Sequence, residues 1–232
     1  MLLAGAWASF ACGSPSAAGE SESAANQGPC APAAGATTPT SIVQVVDTLN
    51  ALPKPVDLPC FVQHLAGPLA IDATNSDLSL QPAAGRRSPR IFILLDPLIV
   101  SIVPEGVGQH LLEMGERRSE TRSLKGEVAF PVTAELSHAS PFEHVMFGSE
   151  LTSCAFCHGS ETPAPDISFT TAFESDAFRP LPSRRVSIDE LRAEQAVCDS
   201  QVEPGRCALL KALFEREAVT LRELPTAFGI FR

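Results

Sequence analysis

The sequence predicts an α+β fold, in which a small antiparallel β domain is followed by a helical domain. Runs of alternating or β-branched apolar residues cluster between residues 68 and 133, which is typical of strands. Apolar residues at helical spacing precede and follow this block. A chain of 232 residues with 44% hydrophobic residues is long enough for one or two small domains. The predicted segments are 1–12, 13–39, 40–137 and 138–232.

The N-terminal segment, residues 1–12, resembles the signal of a bacterial lipoprotein. Met1 to Ala11 is short, apolar and free of Lys and Arg, and Cys12 follows it. The resemblance implies lipidation of Cys12, and cleavage without lipid is the alternative. Either reading predicts export to the bacterial cell envelope, as a periplasmic protein or an outer-membrane lipoprotein. Residues 13–39, rich in Ala, Gly, Ser, Pro and Thr, are expected to form a disordered linker.

A pair of helices is predicted to open the segment 40–137. Thr40 or Ser41 can cap a helix that runs to about Leu52, since apolar residues recur behind them at helical spacing. A second helix is expected over residues 57–65. The apolar face of the first helix consists of Ile42, Val45, Val46 and Leu49.

Four strands are predicted in the same segment, and they are expected to form a structural antiparallel sheet. The dipeptide Asp96-Pro97 marks a turn between the two most apolar runs. Pro131 places the last strand at a sheet edge or at a strand end. The predicted strands are 77–81, 91–95, 98–103 and 127–132.

Three helices are predicted in the segment 138–232. The run from Ser187 to Glu190 has the form of a capping box. The last helix carries Leu209, Leu210 and Leu213 on one face. The predicted helices are 141–147, 187–197 and 205–217, with the last beginning at Gly205 or Arg206.

The formal net charge of −10 argues against nucleic acid as a partner, because phosphate binding needs a basic face. An acidic surface suits a basic partner protein, although solubility is the commoner reason for such a charge. The apolar run 91–103 is too short for a membrane span. A lipid anchor is therefore the expected contact with a membrane.

The run Cys154-Ala155-Phe156-Cys157-His158 carries the chemistry of the chain. Two thiols separated by two residues, followed at once by a His, match the attachment of a c-type haem. With the helices around it, the segment 138–232 resembles a c-type cytochrome. The resemblance implies one covalent haem c, thioether bonds from Cys154 and Cys157, and His158 as the proximal iron ligand.

The distal side of the iron is left open by the sequence, because no Met or His follows His158. The upstream candidates for a distal ligand are His144, Met146 and His138. A five-coordinate iron faced by an apolar ring is the alternative, with Phe169, Phe173 and Phe178 as candidate rings. Arg184 and Arg185 are candidates for pairing with haem propionates.

Four further cysteines remain once Cys12, Cys154 and Cys157 have roles, and an exported protein favours their pairing as disulfides. Cys30, Cys60, Cys198 and Cys207 allow three pairings. The pair Cys198–Cys207 is favoured, because these residues are close in sequence and join two helical segments.

Three other interpretations of the motif stay open. A thiol–disulfide oxidoreductase also uses Cys-x-x-Cys, but at the start of a helix that follows a strand. A zinc site needs a fourth ligand at ordinary spacing. A plain structural disulfide would be strained at this spacing.

Two functions follow from these interpretations. The first is covalent haem c binding with one-electron transfer at the cell envelope to a redox partner protein, and this role is favoured over that of an enzyme. The second is a non-haem binding or scaffold lipoprotein of the envelope, with a redox-active or disulfide-bonded Cys-x-x-Cys. The β-rich block favours the second, because an electron carrier does not need a sheet of that size.

Overall fold

The structure, a computed structural model, describes Cys30 and residues 35–77, 81–215 and 218–230. Within these residues it has five α-helices and two 3-10 turns. The turns are Ser153–Phe156 and Pro182–Arg184. The helices are α1 (Ile42–Ala51), α2 (Leu58–His64), α3 (Ser140–His144), α4 (Ile188–Ala196) and α5 (Pro204–Phe214).

Strands account for the rest of the regular structure. Those of the first half are β1 (Leu69–Thr74), β2 (Arg90–Leu94), β3 (Leu98–Ile102), β4 (Leu111–Arg117) and β5 (Arg122–Ala129). The short strands of the second half are β6 (Met146–Phe147), β7 (Leu151–Thr152), β8 (Thr162–Pro163), β9 (Phe173–Asp176), β10 (Phe178–Arg179), β11 (Val219–Leu221) and β12 (Gly229–Ile230).

One eight-stranded sheet organises the described chain, in the order β11-β1-β2-β3-β4-β5-β9-β8. Its neighbours are antiparallel except β1 and β11, which are parallel. Two small ribbons, β6 with β7 and β10 with β12, lie outside it. The central meander from β2 to β5 needs only short turns, which suits sequential antiparallel strands.

The two faces of this sheet differ in chemistry, because successive side chains of a strand point to opposite faces. One face is apolar: Ile93, Val100 and Met114 lie opposite one another in register and belong to the main core. The other face carries the row Phe92, Ser101, Glu113 and Glu127, also in register. The helices cover the first face, so the second is available for a site.

The helical layer begins where the sequence predicts. The Ser41 hydroxyl accepts a hydrogen bond from the Gln44 amide and starts α1. Asp57 caps α2 in the same way, and the capping box of Ser187 and Glu190 opens α4. The helices predicted over 41–52, 57–65 and 187–197 are therefore confirmed within one or two residues.

The class of the fold, mixed helix and sheet, agrees with the expectation, but the separate helical cytochrome c-like domain is not confirmed. β8, β9 and β11 come from the segment 138–232 and join the same sheet as β1 to β5. The helix predicted over 141–147 is the shorter α3, which ends at His144. Its remaining residues form the ribbon of β6 and β7.

In the first half of the chain two strands were not predicted and one was misplaced, and the short strands β6 to β12 of the second half were not predicted either. β1 and β4 were not predicted, and β5 ends at Ala129 instead of continuing to 132. Most of the strand predicted over 77–81 falls on residues 78–80, outside the described part of the chain. The signal segment, Cys12 and nearly all of the predicted linker also lie outside it.

Two disulfides are formed, Cys30–Cys60 and Cys198–Cys207. The second is the pair favoured from the sequence, and it links the end of α4 to α5. Two disulfides are compatible with an exported protein. None of the described helices is long and apolar enough to span a membrane.

Replacing both Cys198 and Cys207 by Ser is expected to lower the free energy of unfolding by about 2–3 kcal/mol, because the bridge restricts the unfolded chain. Urea unfolding followed by circular dichroism, without reductant, measures the change. Ser200→Ala, within the same loop, is the matched control. A double variant as stable as the parent would contradict this pairing.

Candidate functional site

A cavity of about 1170 Å³, its open mouth included, lies on the polar face of the sheet. Its floor comes from β2 to β5, and its walls come from the motif loop, from residues 177–181 and from Leu224 and Phe228. The carboxylate of Asp72, fully buried in β1, accepts a bond from the Leu224 amide at 3.2 Å. This bond holds the C-terminal wall against the sheet.

The floor of the cavity carries four charged side chains, Arg90, Glu113, Lys125 and Glu127. Arg90 forms an ion pair with Glu113, and its guanidinium stacks over the Phe92 ring at 5.0 Å. Burial raises the pKa of Glu113 above its usual range. Its Oε1 is buried and has no hydrogen-bond partner among the described residues.

The loop that carries the motif is fixed by a polar clamp at its start. The Thr152 hydroxyl caps the 3-10 turn by accepting a bond from the Cys154 amide at 3.1 Å. Glu161 accepts bonds from the Thr152 amide and hydroxyl at 2.7 and 2.6 Å. The Cys154 carbonyl then accepts the amides of Cys157 and His158. The loop therefore presents Cys154, Cys157 and His158 together on the cavity wall.

The imidazole of His158 is oriented by the backbone of β9. Its Nδ1 lies 2.7 Å from the Asp176 carbonyl oxygen, which can only accept, so Nδ1 carries the proton. Nε2 therefore keeps its lone pair. Burial, with the Lys125 cation beside it, lowers the pKa of His158 to about 3, and the ring stays neutral. Its ring centroid lies 5.2 Å from that of Phe178.

Lys125 is the second basic group beside the motif. Its ammonium donates to Ser123 at 2.8 Å and to the Asp176 carbonyl at 3.3 Å, and it lies 3.4 Å from Nδ1 of His158. Burial lowers the pKa of Lys125 to about 8. The amine and the imidazole therefore share one carbonyl acceptor.

Neither motif thiol is in a disulfide, whereas the other four described cysteines are bridged. Burial, followed by the nearby Glu113 carboxylate, raises the pKa of Cys154 to about 11. A thiol that attacks disulfides needs the opposite, a lowered pKa. This environment disfavours the oxidoreductase interpretation.

The zinc interpretation lacks geometric support within the described chain. The groups of three ligand atoms that approach one another closely are Cys30, Cys60 and His64, and Cys198, Glu203 and Cys207. Both groups contain a disulfide. The ligand atoms of Cys154, Cys157 and His158 do not converge in this way.

The three distal candidates from the sequence do not line the cavity. His144 donates to Glu127 at 2.8 Å from outside the wall, which raises the pKa of His144. His138 pairs with Asp47 at 2.8 Å, and Met146 lies on the ribbon opposite Thr152. A distal role for any of them stays a prediction.

Met114 borders the cavity by its strand position, but its side chain belongs to the opposite face. It lies opposite Val100 and Gly126 in register. A Cβ at Gly126 would meet Ile42 of α1 within 3.3 Å, so this row faces the helices. Among the described side chains that line the cavity, His158 is therefore the only His, and none presents a Met thioether as a candidate iron ligand.

The remaining predicted site residues are divided by the fold. Phe178 lines the cavity, while Phe169 and Phe173 do not. Arg184 and Arg185 also lie outside it. Arg185 forms ion pairs with Asp72 and Glu223, so its role is to anchor the C-terminal wall.

The charged floor was missed by the sequence analysis, although a signal for it exists. In β4 and β5, charged residues alternate with apolar or small ones: Leu112-Glu113-Met114 and Leu124-Lys125-Gly126-Glu127-Val128. Alternation of this kind is usual for a strand with one solvated face. It does not distinguish open solvent from a cavity.

Comparisons of the chain with protein-family models, with curated proteins and with solved structures found no match. The site is therefore described from its own geometry alone. That geometry is a loop with two thiols and one oriented imidazole, facing a sheet with four charged side chains, of which Lys125 is buried and the other three are half-buried.

In protein whose motif thiols are unmodified, alkylation of Cys154 by iodoacetamide at pH 8 is expected to be at least about tenfold slower than in urea. A pKa of about 11 leaves far less thiolate than the ordinary value of about 8.5. The rate should rise about tenfold per pH unit up to pH 10, because the thiolate fraction does. Peptide mass spectrometry measures it. A rate that is already constant below pH 8 would show an acidic, redox-active thiol.

Proposed function

We propose that the chain binds one haem c covalently through Cys154 and Cys157, with His158 as the proximal iron ligand, and that it transfers single electrons at the bacterial cell envelope. The observation that carries the proposal is the orientation of His158. A metal-bound imidazole usually donates its other N–H to a carbonyl or carboxylate. The 2.7 Å contact of Nδ1 with the Asp176 carbonyl meets that requirement.

The two thiols support the proposal by their state and position. Both line the cavity, neither is in a disulfide, and the imidazole of His158 lines the same wall. Thioether formation needs two reduced thiols on one side of the porphyrin, with the His ligand adjacent. The high pKa of Cys154 also keeps this thiol protonated and slow to oxidise at neutral pH.

The other walls fit a flat apolar group with anionic arms. Ring and aliphatic side chains line one part of the cavity, among them Phe92, Phe178 and Phe228. Arg90, Lys125 and Arg179 also line it, beside Glu113 and Glu127, and cations of this kind can pair with propionate groups.

A bound haem would supply a reversible one-electron couple at this wall. The chain's own residues then have separate tasks. Cys154 and Cys157 hold the group, and the Asp176 carbonyl keeps the ring of His158 in one orientation. The rings around the cavity keep water away from the iron ligand, and desolvation of this kind tunes a redox potential.

A second candidate function is a non-haem binding protein of the cell envelope. The observation in its favour is Glu113 Oε1, which is buried and unpartnered at the cavity floor. A buried carboxylate oxygen without a donor is costly, so a ligand that donates an N–H or O–H would stabilise it. Under this function Cys154 and Cys157 form a disulfide or remain thiols.

Expression of the full chain with haem c attachment machinery is expected to give one haem per chain. Denaturing mass spectrometry and the pyridine haemochrome spectrum measure it, because a thioether-linked haem survives denaturation. The variant Cys154→Ala/Cys157→Ala should lose the haem, and Cys198→Ser/Cys207→Ser is the matched control that should keep it. Folded parent protein without added haem mass would overturn the proposal in favour of the second candidate.

Single replacements of the sequence-predicted distal candidates, His144→Ala, Met146→Leu and His138→Ala, are expected to leave the Soret and visible bands of the loaded protein unchanged. The reason is that none of these side chains lines the cavity. Absorbance of the oxidised and reduced forms measures the effect, with the parent protein as reference. A spectral change in one variant only would identify that residue as the distal ligand.

A further inference from the structure

The distribution of charge along the chain changes abruptly at the motif. Between Gly126 and Phe178 there is no Lys or Arg. The same stretch contains eight carboxylates, the residues Glu127, Glu135, Glu143, Glu150, Glu161, Asp166, Glu174 and Asp176. Because the whole chain has a net charge of −10, much of its negative charge is concentrated around the motif loop.

Some of these carboxylates are paired inside the fold, and three of the exposed ones, Glu135, Glu143 and Glu150, are not. Glu127 binds His144, Asp166 pairs with Arg118, and Glu174 pairs with Arg122. Glu143 and Glu150 are exposed and have no ion-pair partner among the described residues. They lie at the end of α3 and in the turn between β6 and β7, on either side of Phe147.

An exposed aromatic pair, Phe147 and Phe156, lies near Glu143 and Glu150 in the sequence. The rings of Phe147 and Phe156 pack edge to face with centroids 5.1 Å apart. Their exposed fractions are 53% and 57%. Isolated apolar residues on a surface are ordinary, but two contacting rings rimmed by charge are typical of a binding surface.

The motif loop therefore has two sides. Cys154, Cys157 and His158 line the cavity, whereas Phe156, within the same loop, points out to solvent. Phe156 directly precedes Cys157 in the sequence, so the aromatic pair adjoins a residue that would hold the haem. A partner that contacts Phe147 and Phe156 would come close to that haem.

We propose that Phe147 and Phe156, with Glu143 and Glu150 at their rim, form the docking surface for a redox partner protein with a basic rim. The inference rests on the proposed haem function, and it adds the surface and the charge of the partner. The rings give contact area and are residue types that dominate interface energies. The carboxylates steer a basic partner to this side of the molecule.

The test uses reduced mitochondrial cytochrome c, a strongly basic redox protein, as the probe for the loaded full chain. Stopped-flow absorbance gives the bimolecular rate constant of electron transfer as a function of ionic strength. We expect the parent rate constant to fall steeply with added salt, because salt screens the electrostatic steering.

Phe147→Ser and Phe147→Ser/Phe156→Ser should each lower this rate constant at least about fivefold. Glu143→Lys/Glu150→Lys should lower it at low salt and flatten its salt dependence.

Matched controls separate the surface from general effects. Val197→Ser/Val202→Ser replaces two exposed apolar residues on the helical side, and Glu120→Lys/Asp189→Lys makes the same change in net charge outside the acidic segment. Both should stay within about twofold of the parent, since remote exposed residues contribute little to an interface. Equal losses in controls and test variants, or no loss in the Phe variants, would overturn the proposal.

Haem content and self-association are measured on every sample. The pyridine haemochrome reports whether the proposed haem function has failed. If no haem is bound, the docking surface is tested by salt-dependent co-sedimentation of the same probe with the full chain. Co-sedimentation that the Phe and Glu variants do not weaken would overturn the proposed docking surface. Sedimentation of the chain alone tests whether a second copy of this chain occupies the surface instead. A dimer that Phe147→Ser disrupts would assign the patch to a second copy of this chain and overturn the basic partner.

Discussion

The hydrogen bond between Nδ1 of His158 and the Asp176 carbonyl is the contact on which the rest of the site depends. Asp176 ends β9, and its amide also donates to the Gly159 carbonyl. The motif loop is thus joined to the end of β9 at two successive residues, His158 and Gly159. Because a backbone carbonyl cannot donate, this one contact fixes both the ring orientation and the tautomer. A free surface loop would fix neither.

A sheet with two unlike faces gives this contact its setting. The apolar face is buried under α1, α2 and α5 in one core, and that core stabilises the fold without help from the cavity. The other face can therefore bury charge that would be costly in a core. Arg90 with Glu113, and Glu127 with His144, are paired, while Lys125 is held by a hydroxyl and a carbonyl. The shifted pKa values of the site follow from this desolvation.

How much of this could be read from the sequence differs between elements. The caps at Ser41, Asp57 and Ser187 are local interactions, so they were predictable to within a residue or two. The run of Cys154, Cys157 and His158 was recognisable for the same reason. The path of the segment 138–232 through the sheet could not be predicted in this way. The pairing of β9 with β5 and of β11 with β1 depends on contacts between residues about 50 and 150 positions apart. Short strands such as β8 and β11 carry almost no periodic signal of their own.

The surroundings on the two sides of the motif loop differ in charge. On the cavity side, Arg90, Lys125 and Arg179 stand beside Glu113 and Glu127, and Arg90 is paired with Glu113. The exposed Glu143 and Glu150 belong to α3 and to the turn of the neighbouring ribbon, a stretch without Lys or Arg, and such carboxylates act on a partner at long range. A ligand in the cavity therefore meets both signs of charge, whereas a partner at the ribbon meets exposed carboxylates, so the two binding events would use different groups and would not compete.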